Sequence, residues 1–583
     1  MSEQNTYSEA ESRYFMWRWQ WRRRIAIAQG TYPPSLLLKG GRVLNVFTGD
    51  LVETDVAIDA GRIAALGSFD DATTVIDVSG CVVTPSFIDP HFHLESTLLW
   101  PPEIARVVVP RGTGAIITDP HEIANVAGRP GVEALRAAAA GLPLDIRFSV
   151  PSCVPASPLE SPGATFDLDD IEQMLMWPET VALGEMMNYP GVLAADIDIA
   201  AKLWAARDVP RDGHAPGLAG DEIQAYAGAG MTSDHESVSV EEGMDKLRAG
   251  MMLMLREGSS EKNLRNLLPL VTDSTWPRIT FASDDRDCHD LVTHGHMDDI
   301  LRIAIEEGLD PVRAITMATL NPARHWRLEG LGAVAPGYRA NLAVLSDLET
   351  ISVRHTIHKG SIVATNGTLA AEIEPGQVPE FLEHSVNVAP LRMSHLELST
   401  AQRERVVEVI PGQIVTRLVE LDASDNGTVP GVSVSRDLLK LVSVERHHAS
   451  GRVGVGLVRG FGLTRGAIAS TIAHDAHNIV AVGVDDADIL AAIATVAESQ
   501  GGLAVVAGQQ VLAHLPLPIA GLVSGAPLAE VAQGYASVED AARALGCTLP
   551  SPFGQLVFLS LSVIPEARVT DRGFIDLRGD LSS

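Results

Sequence analysis

Pro85-Ser86-Phe87-Ile88-Asp89-Pro90-His91-Phe92-His93 is the stretch on which the fold turns. Its apolar start, 87–89, reads as a short buried strand, and a histidine pair follows at once. His91 and His93 are two apart, so on an extended backbone both imidazoles leave by the same face. Two imidazoles on one face at the end of a strand make half of a metal site. The plan recurs downstream. Strand candidates at 115–118, 146–151, 181–184, 210–213, 231–233, 251–255 and 279–282 bring the count to eight. Helical periodicity fits 131–140, 171–176, 197–206 and 299–307 between or after them. Eight strands alternating with helices over 85–331 match a (β/α)8 barrel of about 250 residues.

In such a barrel the chemistry gathers at the C-terminal strand ends. The second ends Asp119-Pro120-His121-Glu122, the fourth Gly184-Glu185 and the fifth Asp212-Gly213-His214. The sixth ends Ser233-Asp234-His235-Glu236 and the eighth Ser283-Asp284-Asp285. Any one of these histidines alone is more often a hydrogen-bonded structural residue than a ligand, and a lone buried Glu is usually half of an ion pair. The set carries the inference: His91, His93, Glu185, His214, His235 and Asp284 fall on five strand ends in barrel order. Nitrogen and carboxylate ligands without cysteine suit divalent Zn, Mn or Fe.

The flanks differ in texture. Short β-type runs broken by Gly and Asp turns occupy 36–65 and return at 343–364. They predict one small composite β domain, 35–84 plus 332–374, split by the barrel at 85–331. Residues 375–583 alternate short strands with Ala-rich helical runs and read as a separate α+β domain. The predicted class is therefore α/β: a TIM barrel, a composite β-sandwich and a C-terminal α+β domain. Residues 1–34 are expected to form an N-terminal helical segment, in which 14–27 packs Trp17, Trp19, Trp21 and four arginines together. A membrane-surface helix or a nucleic-acid patch are the sharper readings of it. The expectation is a helix that docks its tryptophans on the body.

Composition limits the partners. The 583 residues are 46% hydrophobic and carry a net charge of −30, from 44 Lys plus Arg against 74 Asp plus Glu. So acidic a surface repels phosphate backbones, and no nucleic-acid partner is expected. Cys81, Cys153, Cys288 and Cys547 form no Cys-x-x-Cys pair, which argues against a thiolate zinc site and a disulfide framework and fits a reducing cytoplasm. Apolar runs fall short of the ~20 residues a membrane span needs, and no export signal is visible.

The stretches around these ligands resemble the bacterial adenine deaminases of the amidohydrolase superfamily. They are Pro85 to Ser96, Asp119-Pro120-His121-Glu122-Ile123-Ala124-Asn125-Val126 and Gly184-Glu185-Met186-Met187-Asn188. They continue through Asp212-Gly213-His214-Ala215-Pro216-Gly217-Leu218, Ser233-Asp234-His235-Glu236 and Met317-Ala318-Thr319-Leu320-Asn321-Pro322-Ala323. Ala473-His474-Asp475-Ala476-His477-Asn478 and Thr570-Asp571-Arg572-Gly573 extend the likeness to the C-terminal part. One departure is visible: the family reads His-Pro soon after the aspartate pair, where this chain has Asp287-Cys288-His289, a loop expected to border the pocket.

The resemblance implies two divalent ions, Mn²⁺ or Fe²⁺ with Zn²⁺ as the alternative. His91, His93 and Asp284 would bind the first, His214 and His235 the second, and Glu185 would bridge them. It implies hydrolysis of adenine to hypoxanthine and ammonia, in purine salvage or catabolism. A hydroxide, ionised near neutral pH by the metals, would attack C6. Asp284 would move the proton to the leaving amine, and Glu122 would protonate N1, with Glu95 and Glu236 as further candidates. The alternative for Glu122 is to orient a ligand histidine. Asp119 and His121 read as site-shaping residues, with Asp285 beside them. Arg256 is placed to touch substrate or to pair with Glu257. His477 belongs either to a structural turn, in which His474 and Asp475 satisfy each other, or to a loop closing the barrel mouth. A homodimer is the expected assembly. A dihydroorotase- or hydantoinase-like hydrolase and a non-catalytic barrel scaffold remain as other readings.

Overall fold

The computed structural model describes residues 9–421 and 431–578. Eight parallel strands form the centre: β1 (Phe87–Phe92), β2 (Thr113–Thr118), β3 (Asp145–Val150), β4 (Thr180–Met186), β5 (Arg211–Gly213), β6 (Ser233–Asp234), β7 (Met252–Arg256) and β8 (Ile279–Ala282). They lie in two arcs, β1 to β5 and β6 to β8, in sequence order. Hydrogen bonds join the arcs at both seams. The Thr232 N–H donates to the Arg211 carbonyl at 2.8 Å, and the Asp284 N–H to the His91 carbonyl at 3.1 Å. Parallel strands covered on both faces read as continuous apolar runs, which is why β2 and β7 are buried at every position.

Inside the barrel, Ile88, Ala115, Ile117, Ala182, Met254 and Ala282 pack on Trp326 and Leu331. With Ile88 facing inward, strict alternation would turn His91 outward. A register shift between Asp89 and Phe92 intervenes. It re-aims the strand end. His91 and His93 enter the mouth, while Phe92 joins the core outside the barrel.

A seven-stranded sheet takes Arg42–Asn45, Asp50–Glu53 and Val82–Pro85 from before the barrel and four strands between Leu342 and Leu369 from after it. It faces a four-stranded sheet that begins with Leu36–Lys39, and Leu38, Val56, Ile58, Val83, Leu342 and Val344 fill the space between. In the C-terminal part an eight-stranded mixed sheet carries the helices Asp486–Glu498 and Leu528–Ala544. This part leans on the barrel mouth. The Ser161 N–H donates to Asp571 at 3.0 Å, and the Asn478 amide donates to the Ser161 carbonyl at 3.0 Å.

The N-terminal helix, Glu9–Ala28, departs from expectation. Its tryptophans do not dock on the body: Trp17, Trp19 and Trp21 stay 54%, 50% and 45% exposed. The helix is held from its other end, where Ile27 packs with Leu37, Ala57 and Ala64 and Arg23 pairs with Asp59 at 2.6 Å. Alternating aromatic and arginine residues leave this helix without an apolar stripe wide enough to bury.

Candidate metal centre

The strand ends converge as the spacing predicts. His91 Nε2 and His93 Nε2 lie 3.1 Å apart, and Asp284 Oδ1 is 3.4 Å from the first and 3.1 Å from the second. His214 Nδ1 lies 2.7 Å from Glu185 Oε2, and His235 Nε2 lies 3.3 Å from the same oxygen. The other oxygen, Oε1, is 3.4 Å from His93 Nε2. Glu185 therefore spans the two histidine groups.

The donor set fits cations. His93 Nδ1 faces the Asp119 carbonyl at 3.0 Å, which only accepts, so that nitrogen carries the proton. His91 Nδ1 likewise faces the Asp212 carboxylate at 2.7 Å. Both outer nitrogens are thus engaged, which leaves the two Nε2 atoms facing one another across the mouth, available to a cation or a second proton. The buried His214 Nε2 also lacks a hydrogen-bond partner. His91, His93, Glu185, His214, His235 and Asp284 would hold the ions, and Asp212 and Asp119 orient the imidazoles.

Electrostatics say the same. Burial and the neighbouring His235 pull the His91 pKa down, but Asp212 and Asp284 outweigh them and hold it at about 9. Burial opposes and the carboxylates of Asp284 and Asp285 win at His93, which stands well above its usual range. Burial would raise the Glu185 pKa, yet His214 and His235 drive it well below the ordinary carboxylate value. Backbone geometry is specialised too. Asp284 sits in the left-handed region at φ 54°, a conformation non-glycine residues hold only when the surroundings impose it. Gly184 has a steric role, because a Cβ there would meet the Asp119 carboxylate at 2.2 Å. That carboxylate accepts the Glu185 N–H at 2.7 Å.

Of the other candidates, His121, Glu122, Glu236, Arg256 and Asp285 line the same small cavity. Glu122 is buried, with Oε1 3.0 Å from the Ser96 hydroxyl, which also reaches Asp285. Burial first, then the charges of Glu95 and Asp285, push its pKa well up. Glu236 is no reserve acid. Burial would raise its pKa, but Arg256 and His214 lower it, so it stays ionised. Arg256 does not pair with Glu257: it forks onto Glu236 at 2.5 and 3.1 Å and reaches Asp284 at 2.8 Å. A planar guanidinium between two ionised carboxylates is the stronger pairing. Glu95 accepts the Ile123 N–H at 3.0 Å with one oxygen while the other has no partner, and burial raises its pKa.

The segment 473–478 lies over this mouth. His477 Nε2 is 3.7 Å from Glu122 Oε2, and Asp475 is 3.8 Å from His121 Nε2. His474 and Asp475 do not satisfy each other, being 3.9 Å apart, and His474 instead stacks on Phe558. Three contributors were missed. Asp212 stands two before His214 on the same strand face, a signal present in the sequence. Lys246, fully buried on the helix Val240–Arg248, clamps Asp234 at 2.5 Å behind His235. Glu261, lifted by burial against the pull of Arg256 to about 7, lines the cavity and had no local signal.

A parallel barrel whose strand ends gather four histidines and two carboxylates defines the amidohydrolase class, and residues 82–363 match the amidohydrolase family. Residues 413–580 match the adenine deaminase C-terminal domain. The adenine deaminase of Dehalococcoides mccartyi BAV1 is 46% identical over 95% of this chain and 97% of its own. That of Methanothrix thermoacetophila is 44% identical over 95% and 97%. The chain belongs to the adenine deaminase family. Among solved structures, a β-aspartyl dipeptidase of Fervidobacterium islandicum is 14% identical, covering 58% of this chain and 99% of that one at a TM-score of 0.44.

Proposed function

We propose that the chain hydrolyses adenine to hypoxanthine and ammonia, with two divalent ions, Mn²⁺ or Fe²⁺ and less favourably Zn²⁺, as cofactors. The carrying observation is one small cavity in which the Glu185 carboxylate spans two histidine groups and the buried Glu122 carboxyl, its pKa pushed well up, lines the same space. When bound, the ions supply positive charge and bring the ionisation of water from 15.7 to about 7. Everything else falls to side chains. Glu122, kept protonated by burial, donates to N1 so that the ring accepts electron density when water adds at C6. Asp284, ionised at neutral pH, takes the proton released by the water and delivers it to the departing amine. Arg256 fixes its second oxygen at 2.8 Å. Asp212 and the Asp119 carbonyl hold the histidine tautomers.

The substrate class is a free purine base, the compartment the cytoplasm and the assembly a homodimer. The four cysteines, all buried and unpaired, accord with a reducing compartment, and among the described residues no helix is long and apolar enough to cross a membrane. A dihydroorotase-like hydrolysis is less well supported, because such enzymes usually bridge their metals with a lysine, where this chain places Glu185, and no lysine lines this cavity among the described residues. A spectrophotometric assay of adenine, adenosine and guanine with added Mn²⁺ tests the reading. Turnover of adenine is expected to exceed that of adenosine. No turnover of adenine by Mn-loaded protein would end it.

A further inference from the structure

Two cavities meet above the barrel. The inner one, at the metal centre, has a volume of about 40 Å³. The outer one, about 530 Å³, opens between the barrel and the C-terminal part and is lined by Ser96, Lys262, His289, Tyr535 and Arg543 among others. Among the described residues, only Asp285, His474 and Phe558 line both. These three side chains are therefore the wall between outside and inside. Its aromatic portion is a face-to-face pair: the His474 and Phe558 rings lie 4.7 Å apart at centroids and within 10° of parallel. The pair is fixed from behind, because the His474 N–H donates to the Val557 carbonyl at 2.9 Å and the Ser560 hydroxyl donates to the His474 carbonyl at 3.3 Å.

A 6-aminopurine is a flat plate with C6 at one end and N9 at the other. With C6 at the metal centre, N9 faces back towards this wall. We propose that the His474–Phe558 stack is the specificity-determining constriction: it yields to a flat base and refuses a purine whose N9 bears a tetrahedral substituent. This rests on the deamination reading and goes beyond it by assigning the choice of base over nucleoside to named side chains. An aromatic ring can swing aside for, and then stack on, a plate one atom thick. A ribosyl group left at the wall would hold the rings apart and expose the centre to water. The outer cavity is large enough for the rejected portion, so the discrimination lies in the wall and not in the space beyond it.

The test measures kcat/KM for adenine, 9-methyladenine and adenosine on the full-length, Mn-loaded chain and on the variants Phe558→Ala, Phe558→Leu and His474→Asn. The ratio of two substrates on one sample cancels any loss of folded enzyme, and Phe558→Leu guards against failure of the larger truncation. Removing a packing element at a tight wall is expected to shift the ratio towards 9-methyladenine by about tenfold or more, more in Phe558→Ala than in Phe558→Leu. Metal content should not change. A ratio that stays fixed in all three variants while adenine is still turned over overturns the constriction. Wild-type turnover of 9-methyladenine equal to that of adenine overturns it too. No adenine turnover in the wild type sinks the deamination reading itself, and the constriction with it.

Discussion

Two groups of histidines face each other across the barrel mouth, and their surroundings push their pKa values in opposite directions. His91, His93 and His235 on the strand ends are buried and hold their protons above the ordinary range. His474 and His477 in the covering segment are just as buried, and burial drives both down, outweighing the opposing pull of Asp285 and Asp475 at His474. His447 beneath them falls to about 3, through burial and then the nearby Arg446. Burial alone would make all of them neutral. What separates the groups is the carboxylates: Glu185, Asp212 and Asp284 lie within 3.4 Å of imidazole nitrogens below, while above the nearest acid to His477 is Glu122 at 3.7 Å. A surplus of buried negative charge seeks cations, whereas a neutral pair of rings suits a cover.

The largest effect should come from breaking the lower group at its centre. Glu185→Gln leaves one neutral amide between two cations, and activity is expected to fall on the order of 10²-fold or more, with metal content falling alongside. Full metal occupancy with near-normal turnover would remove Glu185 from the bridge. Next is Glu122→Gln, which keeps volume and burial but loses the transferable proton. The expected loss is about 10² to 10⁴ in kcat with metal retained. The sign of its pH dependence follows from the raised pKa. Glu122 acts in its protonated form, so wild-type kcat/KM should decline as pH rises through that pKa, and Glu122→Gln should lack this alkaline limb. A wild-type profile with no alkaline limb would leave Glu122 to orient a neighbour.

Asp212→Asn is a subtler cut. Its carboxylate accepts from His91 Nδ1 at 2.7 Å and also from the Ser233 hydroxyl at 2.6 Å. An amide can present the wrong atom, letting the imidazole turn or change tautomer. A loss of about 10- to 100-fold in metal affinity is expected, read by metal titration of the stripped protein. Unchanged affinity would show that His91 is positioned by its strand alone.

The lower group was legible because a strand end is a short-range device. Residue spacing of two and the order of strands carry His91, His93, His214 and His235 to one place with no knowledge of loops. Even there the parity of β1 depends on a register shift that sequence alone does not reveal, and of the two readings of Arg256 the pairing with Glu257 fails because adjacent residues on an extended strand leave by opposite faces. The upper group was harder. His474 and His477 meet the barrel across some 350 residues of chain, and no local periodicity encodes that. The exposed tryptophans of Glu9–Ala28 show the opposite limit: side-chain chemistry suggests burial, but nothing in a helix sequence states which surface will receive it.

The smallest predicted effect concerns the point where the two groups touch. His477 Nδ1 lies 3.3 Å from the Ala473 N–H, which can only donate, so Nδ1 accepts and the proton of the neutral ring sits on Nε2. That N–H faces Glu122 Oε2 at 3.7 Å. The ring cannot drift, because His477 is held at φ 55° and the buried Arg446 guanidinium donates to its carbonyl. A donor this near a carboxyl, though beyond hydrogen-bond length, favours the ionised form, so His477 is expected to temper the upward push that burial gives Glu122. Replacing it by Leu keeps the volume and deletes the donor. The alkaline limb of kcat/KM should then move to higher pH, while activity at neutral pH changes by less than about tenfold and metal content stays the same. His477→Gln, whose amide also donates, should bring the limb back towards its original position. If His477→Leu leaves the limb in place, or if metal is lost with it, His477 serves the packing of the cover and does not tune the acid.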